Sequence, residues 1–238
     1  MDKGLIKEIF SPDFLALSDF QVSQFALYGE ELLNWNKKFN LTAITAEKEI
    51  IIKHFYDSAL GLKAWRFQGN ETVLDLGTGA GFPGLPLKII NPALEITLVD
   101  SLQKRVGFLR EMIKLLGLNG AEAIHGRAEE LGQNQAFREK YDLVVSRAVA
   151  GLAVLVEYCL PLVKPGGVML AYKGADAEQE IEAARKAVAI LGGEIAEMET
   201  FALPLEMGKR SIILLKKVKQ TPGAYPRKPG LPGKKPLY

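Results

Sequence analysis

Val73-Leu74-Asp75-Leu76-Gly77-Thr78-Gly79-Ala80-Gly81-Phe82-Pro83-Gly84 is the stretch from which the fold can be read. A short apolar run with one embedded acid passes directly into a glycine-rich loop that opens a helix, the pattern of a buried strand feeding a ligand-binding turn. The glycines let a ligand come close to the backbone. Gly79, Gly81 and Gly84 match G-x-G-x-x-G, the spacing of a dinucleotide site, but that match alone carries little weight. The register is more informative. The glycine nearest the strand is Gly77, and Asp75 precedes it by two positions. A carboxylate there repels a pyrophosphate and favours the sulfonium and amino group of S-adenosylmethionine. Asp75 has a second reading, as a cap on the loop's own backbone, and the sequence leaves both open.

Outward from this loop, strand-like runs alternate with helical ones, as parallel βαβ units do. The expected strands are 72–76, 95–99, 121–124, 142–146, 167–172, 194–201 and 211–216; helices fit over 85–90, 104–116, 128–133, 152–163 and 177–191. Leu203 to Lys209 is too short for a crossover helix, so the last two strands should run antiparallel to each other. The fold class is therefore α/β: a Rossmann-like doubly wound sheet with a reversed antiparallel edge. Residues 1–65 read as a helical cap. Ser18 and Gln21 form a capping box, Phe25, Tyr28, Leu32, Trp35 and Phe39 make one apolar face, and a second helix is expected over 47–62. Residues 66–218 would be the Rossmann-like domain and 219–238 a basic Pro/Gly-rich arm.

Charge is unevenly spread. The total of +2 is the sum of −6 over residues 1–204 and +8 over residues 205–238. Such asymmetry points to a polyanion, with a merely solvated tail as the plain alternative. Residues 219–238 contain five prolines, three glycines and five basic residues, a composition read as neither helix nor central strand. It is either disordered or an arm that orders against the domain or a partner, solvated from about Lys228 onward. No apolar run reaches the ~18 residues of a membrane span. No secretory signal is visible, and the single cysteine, Cys159, excludes an internal disulfide and a multi-cysteine zinc site. The expected setting is the cytoplasm, with no membrane association.

Candidate chemistry collects at the ends of strands. Asp100 stands 23 positions after Gly77, where a carboxylate can accept both ribose hydroxyls of an adenosine, or cap the next helix. Arg127-Ala128-Glu129 follows the third strand, where an adenine would lie. Ser146-Arg147-Ala148 follows the fourth, facing the donor. The Asn/Asp-Pro-Pro-aromatic loop of amine methylation is absent, and Cys159 sits inside an expected helix rather than as a C5-methylation nucleophile. Ribose methylation needs a base, for which Lys173 is the one obvious candidate, whereas guanine N7 offers a free lone pair. Arg127, Arg147, Lys173 and Arg210 should share the C-terminal sheet edge and suit a phosphate backbone, with ordinary ion pairs to the acids of the core as the plain alternative. His54 and His125 are too few and too separated to hold a metal. Two rivals remain: a nicotinamide-dependent oxidoreductase, and an RNA-binding module without catalysis.

These residues resemble one family, the 16S rRNA (guanine-N7) methyltransferases RsmG, also called GidB. The resemblance runs through Trp35-Asn36-Lys37, Asn40-Leu41-Thr42, His54-Phe55-Tyr56-Asp57-Ser58, the 77–84 loop, Asp100-Ser101, Lys104-Arg105, Arg127-Ala128-Glu129-Glu130, Ser146-Arg147-Ala148, Lys173-Gly174 and Gly208-Lys209-Arg210. It implies a class I S-adenosylmethionine-dependent methyltransferase with an N-terminal helical cap. Asp75, Gly77, Gly79, Phe82, Asp100, Ala128, Glu129 and Arg147 are then expected to hold the donor, and Arg127, Arg147, Lys173 and Arg210 the RNA. No general base and no metal are expected; Arg147 and Lys173 would act as positioning cations. The implied acceptor is N7 of a guanosine in the decoding-centre loop, in 16S rRNA or the small ribosomal subunit. The expected working form is a monomer without a protein partner.

Overall fold

A computed structural model describes residues 1–174 and 177–237, with all their side chains except those of residues 12 and 13. Helices α1 (Lys3–Phe14) and α2 (Asp19–Phe39) lead into a helical segment made of α3 (Glu47–Ile50), a π-helical stretch (Ile51–Tyr56), α4 (Asp57–Ala59) and α5 (Gly61–Ala64). The alternating part follows: β1 (Thr72–Leu76), α6 (Gly84–Ile90), β2 (Glu95–Asp100), α7 (Gln103–Leu115), β3 (Ala121–His125), α8 (Ala128–Gln133), β4 (Tyr141–Arg147), α9 (Leu152–Cys159), β5 (Val163–Lys173) and α10 (Ala177–Ile190). It closes with β6 (Gly193–Ala202), β7 (Lys209–Lys217) and α11 (Leu231–Lys234).

The seven strands form one sheet in the order β3-β2-β1-β4-β5-β7-β6. Strands β1 to β5 are parallel, and β7 runs antiparallel to both β5 and β6. The order reverses between β1 and β4, so a crevice opens at their C-terminal ends, where open α/β sheets bind ligands. Strand residues alternate between two cores, as a sheet covered on both faces requires. Val73, Leu143, Val145 and Leu170 pack with α1, α2, the helical segment, α6 and α7; Leu74, Val144, Met169 and Ala171 pack with α9 and α10.

Helix α2 starts as expected. Ser18 Oγ accepts from the Gln21 N–H at 3.2 Å, and the Gln21 side chain accepts from the Ser18 N–H at 2.9 Å. Gln21 Nε2 also donates to the Ile89 and Ile90 carbonyls at 3.0 Å, pinning the cap to α6. The Tyr172 hydroxyl donates to the Ser58 carbonyl at 2.9 Å and ties β5 to the helical segment.

Two expectations need correction. Residues 47–62 are not one regular helix: the π-helical turns of Ile51–Tyr56 interrupt it. Consecutive Ile50, Ile51 and Ile52 are all fully buried, and a single regular stripe cannot bury three adjacent positions. The arm also contains a helical turn, α11, within a segment read as non-helical. Pro232 is tolerated in that first turn because its missing N–H would have no helical partner anyway. Pro232 is buried, so the packed part of the arm extends past Lys228.

Candidate active site

Two adjoining cavities open at the C-terminal ends of the strands, separated by the loop Ala148–Gly151, whose Val149 lines both. The smaller, about 210 Å³, lies over the ends of β1, β2 and β3. Gly77 forms its floor at φ 69; a Cβ there would stand 2.4 Å from Val149 Cγ2, so the position must be glycine for the loop and Val149 to meet. Asp100 ends β2 and is 2% exposed. Its Oδ2 accepts from the Gly79 N–H and its Oδ1 from the Leu102 N–H, both at 2.9 Å, with Arg105 Nη1 at 3.4 Å. The carboxylate is thereby locked in orientation while Oδ1 keeps a further lone pair and Oδ2 is shared with a long, weak bond from Arg105. Ala128 and Glu129 open α8 on the far wall; Leu76, Val99 and Tyr158 supply apolar surface, and Arg127 lies exposed at the rim. Two carboxylates, apolar walls and a glycine floor fit an adenosine that carries a cationic tail.

Asp75 is placed elsewhere. It is fully buried beneath the loop, where Oδ2 accepts from Thr78 Oγ1 at 2.5 Å and from the Gly84 N–H at 2.7 Å, and Oδ1 has no partner. Burial pushes its carboxyl up to about 7. Of the two readings left by the sequence, this geometry is the loop cap. Gly79 is a turn residue at φ 61 that orients Asp100. Phe82 lines neither cavity; it stacks on His54 at 4.5 Å and on Tyr28 at 5.4 Å, with the Arg147 guanidinium 4.9 Å over its ring.

The larger cavity, about 600 Å³, lies between the helical segment, the Ala148–Gly151 loop and the ends of β5 and β7. Here the sheet brings Arg147, Lys173 and Arg210 together, whereas Arg127 belongs to the smaller cavity. Arg210 arrives because antiparallel β7 begins at the edge where β5 ends, with Ser211 opposite Lys173. Arg147 was expected against the donor; its guanidinium instead reaches into the larger cavity, where Nη1 donates to Asp57 Oδ2 at 2.8 Å and to the Lys53 carbonyl at 3.1 Å. Arg210 Nε donates to the same Asp57 oxygen at 3.1 Å. Asp57, 1% exposed, is thus a shared counter-charge that lets two guanidiniums stand side by side. Lys173 is tied down as well, donating to the Ala150 carbonyl at 2.6 Å and to Glu180 Oε2 at 2.7 Å, and the same oxygen accepts from the Leu152 N–H at 2.6 Å. This clamp holds the dividing loop, in which Ala148 sits at φ 57, a left-handed conformation costly for a residue with a Cβ.

His54 Nδ1 faces Arg147 Nη2 at 3.3 Å, so it presents a lone pair; Nε2 then carries the proton and donates to Thr42 Oγ1 at 2.8 Å. Burial and the neighbouring guanidinium lower its pKa to about 3, and the ring is neutral. Asp57 and His54 received no role from the sequence. The available signal was an acid set among Ile51, Ile52, Phe55, Ala59 and Leu60, an apolar surface on which a charge needs a partner. Cys159 lies fully buried in α9 with its thiol pKa raised by burial, a core residue as expected. Among the described residues no cluster of ligands could hold a metal ion, and no helix is long and apolar enough to cross a membrane.

Residues 21–213 match the family model for GidB, rRNA small subunit methyltransferase G. The chain belongs to this family. Proteins named ribosomal RNA small subunit methyltransferase G are 52% identical in Listeria monocytogenes, over 94% of each chain, and 50% identical in Oceanobacillus iheyensis, over 93% of each chain. The Exiguobacterium protein of the same name is 49% identical over the full length of both. Among solved structures, M. jannaschii TYW2 in complex with AdoMet superposes with a TM-score of 0.52 at 17% identity, covering 66% of this chain and 74% of that one. The cyclase SpnF superposes with a TM-score of 0.58 at 16% identity, covering 84% and 97%. Those two likenesses concern the fold, which is that of class I methyltransferases. Membership of the rRNA small subunit methyltransferase G family, together with the carboxylate-lined smaller cavity, makes S-adenosylmethionine the methyl donor.

Proposed function

We propose that this rRNA methyltransferase transfers a methyl group to N7 of a guanosine in the decoding-centre loop of 16S rRNA by direct in-line attack. It acts as a cytoplasmic monomer on the rRNA or the small ribosomal subunit. The observation that carries the N7 reading is the state of the larger cavity's proton acceptors. Asp57 Oδ2 is ion-paired with two arginines while its Oδ1 is buried without a partner, Glu180 Oε2 is held by Lys173 and a backbone N–H, and the His54 lone pair faces Arg147. A hydroxyl or amine acceptor would need a base that is within reach and not already neutralised by a cation, whereas both carboxylates here are ion-paired and the open Asp57 oxygen is buried. Guanine N7 brings its own lone pair on the Hoogsteen edge and needs none.

Asp100 and Glu129 would hold the donor over the glycine floor, with Leu76, Val99 and Tyr158 against its adenine ring. S-adenosylmethionine supplies there a methyl carbon made electrophilic by its sulfonium. Arg147 and Arg210 draw the RNA backbone to the larger cavity, and the Lys173–Glu180 clamp fixes the loop between the two reactants. With no proton to move, alignment supplies the rate. The test is methylation of undermodified small subunits by two variants. Asp100→Ala should weaken donor binding and Arg210→Ala should chiefly raise KM for the RNA; wild-type kinetics in both would overturn this assignment.

A further inference from the structure

The C-terminal arm ends against the smaller cavity, and its contacts fall on the elements that form the cavity's far wall. Its root is fixed at the edge of the sheet, where buried Lys217 donates to the Leu160 carbonyl at 2.6 Å and pairs with Glu139. Arg138 then holds the arm's backbone, donating to the Thr221 and Tyr225 carbonyls at 2.7 Å. Pro226 lies on Gly132 of α8, where a Cβ would stand 2.6 Å from the proline ring. Arg227 grips fully buried Glu157 with two side-chain bonds, Nε to Oε1 at 2.9 Å and Nη2 to Oε2 at 2.6 Å. Finally the Gly230 N–H donates to Glu129 Oε1 at 2.9 Å. Glu157 precedes Tyr158, and Tyr158 and Glu129 both line the cavity.

We propose that the arm is part of the donor pocket: Gly230 is a positioning residue that holds Glu129 in its binding arrangement, and the Arg227–Glu157 pair is the anchor that brings Gly230 there. The inference rests on the reading of the smaller cavity as the S-adenosylmethionine site. A glutamate side chain loses rotamer freedom when it engages a ligand, and the Gly230 N–H removes that freedom in advance. The arm thereby acts on donor affinity rather than on the methyl transfer itself.

Isothermal titration with S-adenosylmethionine tests this on full-length protein, on a chain ending at Arg227, on Gly230→Pro, on Asp100→Ala and on a Lys228→Ser/Lys234→Ser/Lys235→Ser variant. Gly230→Pro deletes the donating N–H, and proline cannot adopt the φ of 79 found there, so it repeats the truncation without shortening the chain. The truncation and Gly230→Pro should raise Kd about tenfold, equivalent to about 1.4 kcal/mol, at unchanged stoichiometry. Loss of fold would instead lower the stoichiometry. The triple lysine variant should bind as wild type, because the arm acts through Gly230 and not through charge. Wild-type Kd in the truncation and in Gly230→Pro, with Asp100→Ala weakened, overturns the role of the arm. Wild-type Kd in Asp100→Ala overturns the donor-site reading beneath it.

Discussion

Replacing Asp57 by asparagine removes one negative charge and almost no volume from the floor of the larger cavity. The side chain is 1% exposed and its partners are Arg147, 13% exposed, and Arg210, 30% exposed. Breaking a buried ion pair by neutralising one member costs about 3–5 kcal/mol, because the remaining charge is left uncompensated. Arg210 is partly hydrated and Arg147 keeps its bond to the Lys53 carbonyl, which places the expected loss at the lower end, about 3 kcal/mol. Urea unfolding of Asp57→Asn at neutral pH measures it directly. A double-mutant cycle with Arg210→Gln adds a sharper number. If Asp57 is the shared counter-charge, neutralising it should make the loss of Arg210 cheaper, with a coupling of about 1–2 kcal/mol. The reasoning fails if Asp57→Asn unfolds within about 0.5 kcal/mol of wild type, as a surface substitution would, and the two changes simply add.

Three further outcomes follow from the site. Glu180→Gln should slow methylation by about tenfold or more with little change in donor Kd, since it loosens the loop held by Lys173 and Leu152; unchanged kcat would refute the clamp. His54 has a pKa near 3 in the folded protein against an ordinary 6.5, so the stability it contributes is present above pH 6.5 and is lost as pH falls toward 3. Its ring resonances should stay fixed from pH 8 to pH 5, and a midpoint near 6.5 would contradict its neutral, buried state. Asp75 has the opposite sign: with a folded pKa near 7 against 3.8, its contribution is present below about pH 4 and is lost as pH rises through 7. Asp75→Asn should therefore gain on wild type between pH 5 and pH 8 in urea unfolding, and an equal difference at both pH values would show that the carboxyl is not held protonated.

What was legible in the sequence is what depends on local pattern. The strand-to-loop passage at 73–84, the alternation of runs after it, and the Ser18–Gln21 capping box each signal within a few residues, and the structure places most of them within a residue or two; α9 ends four residues earlier than expected, at Cys159, and β5 begins four earlier, at Val163. The grouping of Arg147, Lys173 and Arg210 was also readable, since parallel strands share one edge and an antiparallel strand starts where its neighbour ends. Side-chain direction was not. Asp75 sits at the correct position for a donor contact but turns under the loop, a choice made by Thr78 and Gly84 in three dimensions. Asp57 meets Arg147 and Arg210 across 90 and 153 residues, a pairing that no window of sequence contains. The arm's composition spoke against regular structure, and that was largely sound. Its order comes from Arg138, Gly132, Glu157 and Glu129, residues far away in the chain. The basic segment is correspondingly less free than its charge suggested, with Lys217 and Arg227 consumed by internal carboxylates.

N7 methylation of a guanosine in small-subunit rRNA is read out by borohydride–aniline cleavage of rRNA from cells with and without this protein. Cleavage is expected at one guanosine of the decoding-centre loop of 16S rRNA when the protein is present and not there when it is absent. An identical cleavage pattern in both would contradict it.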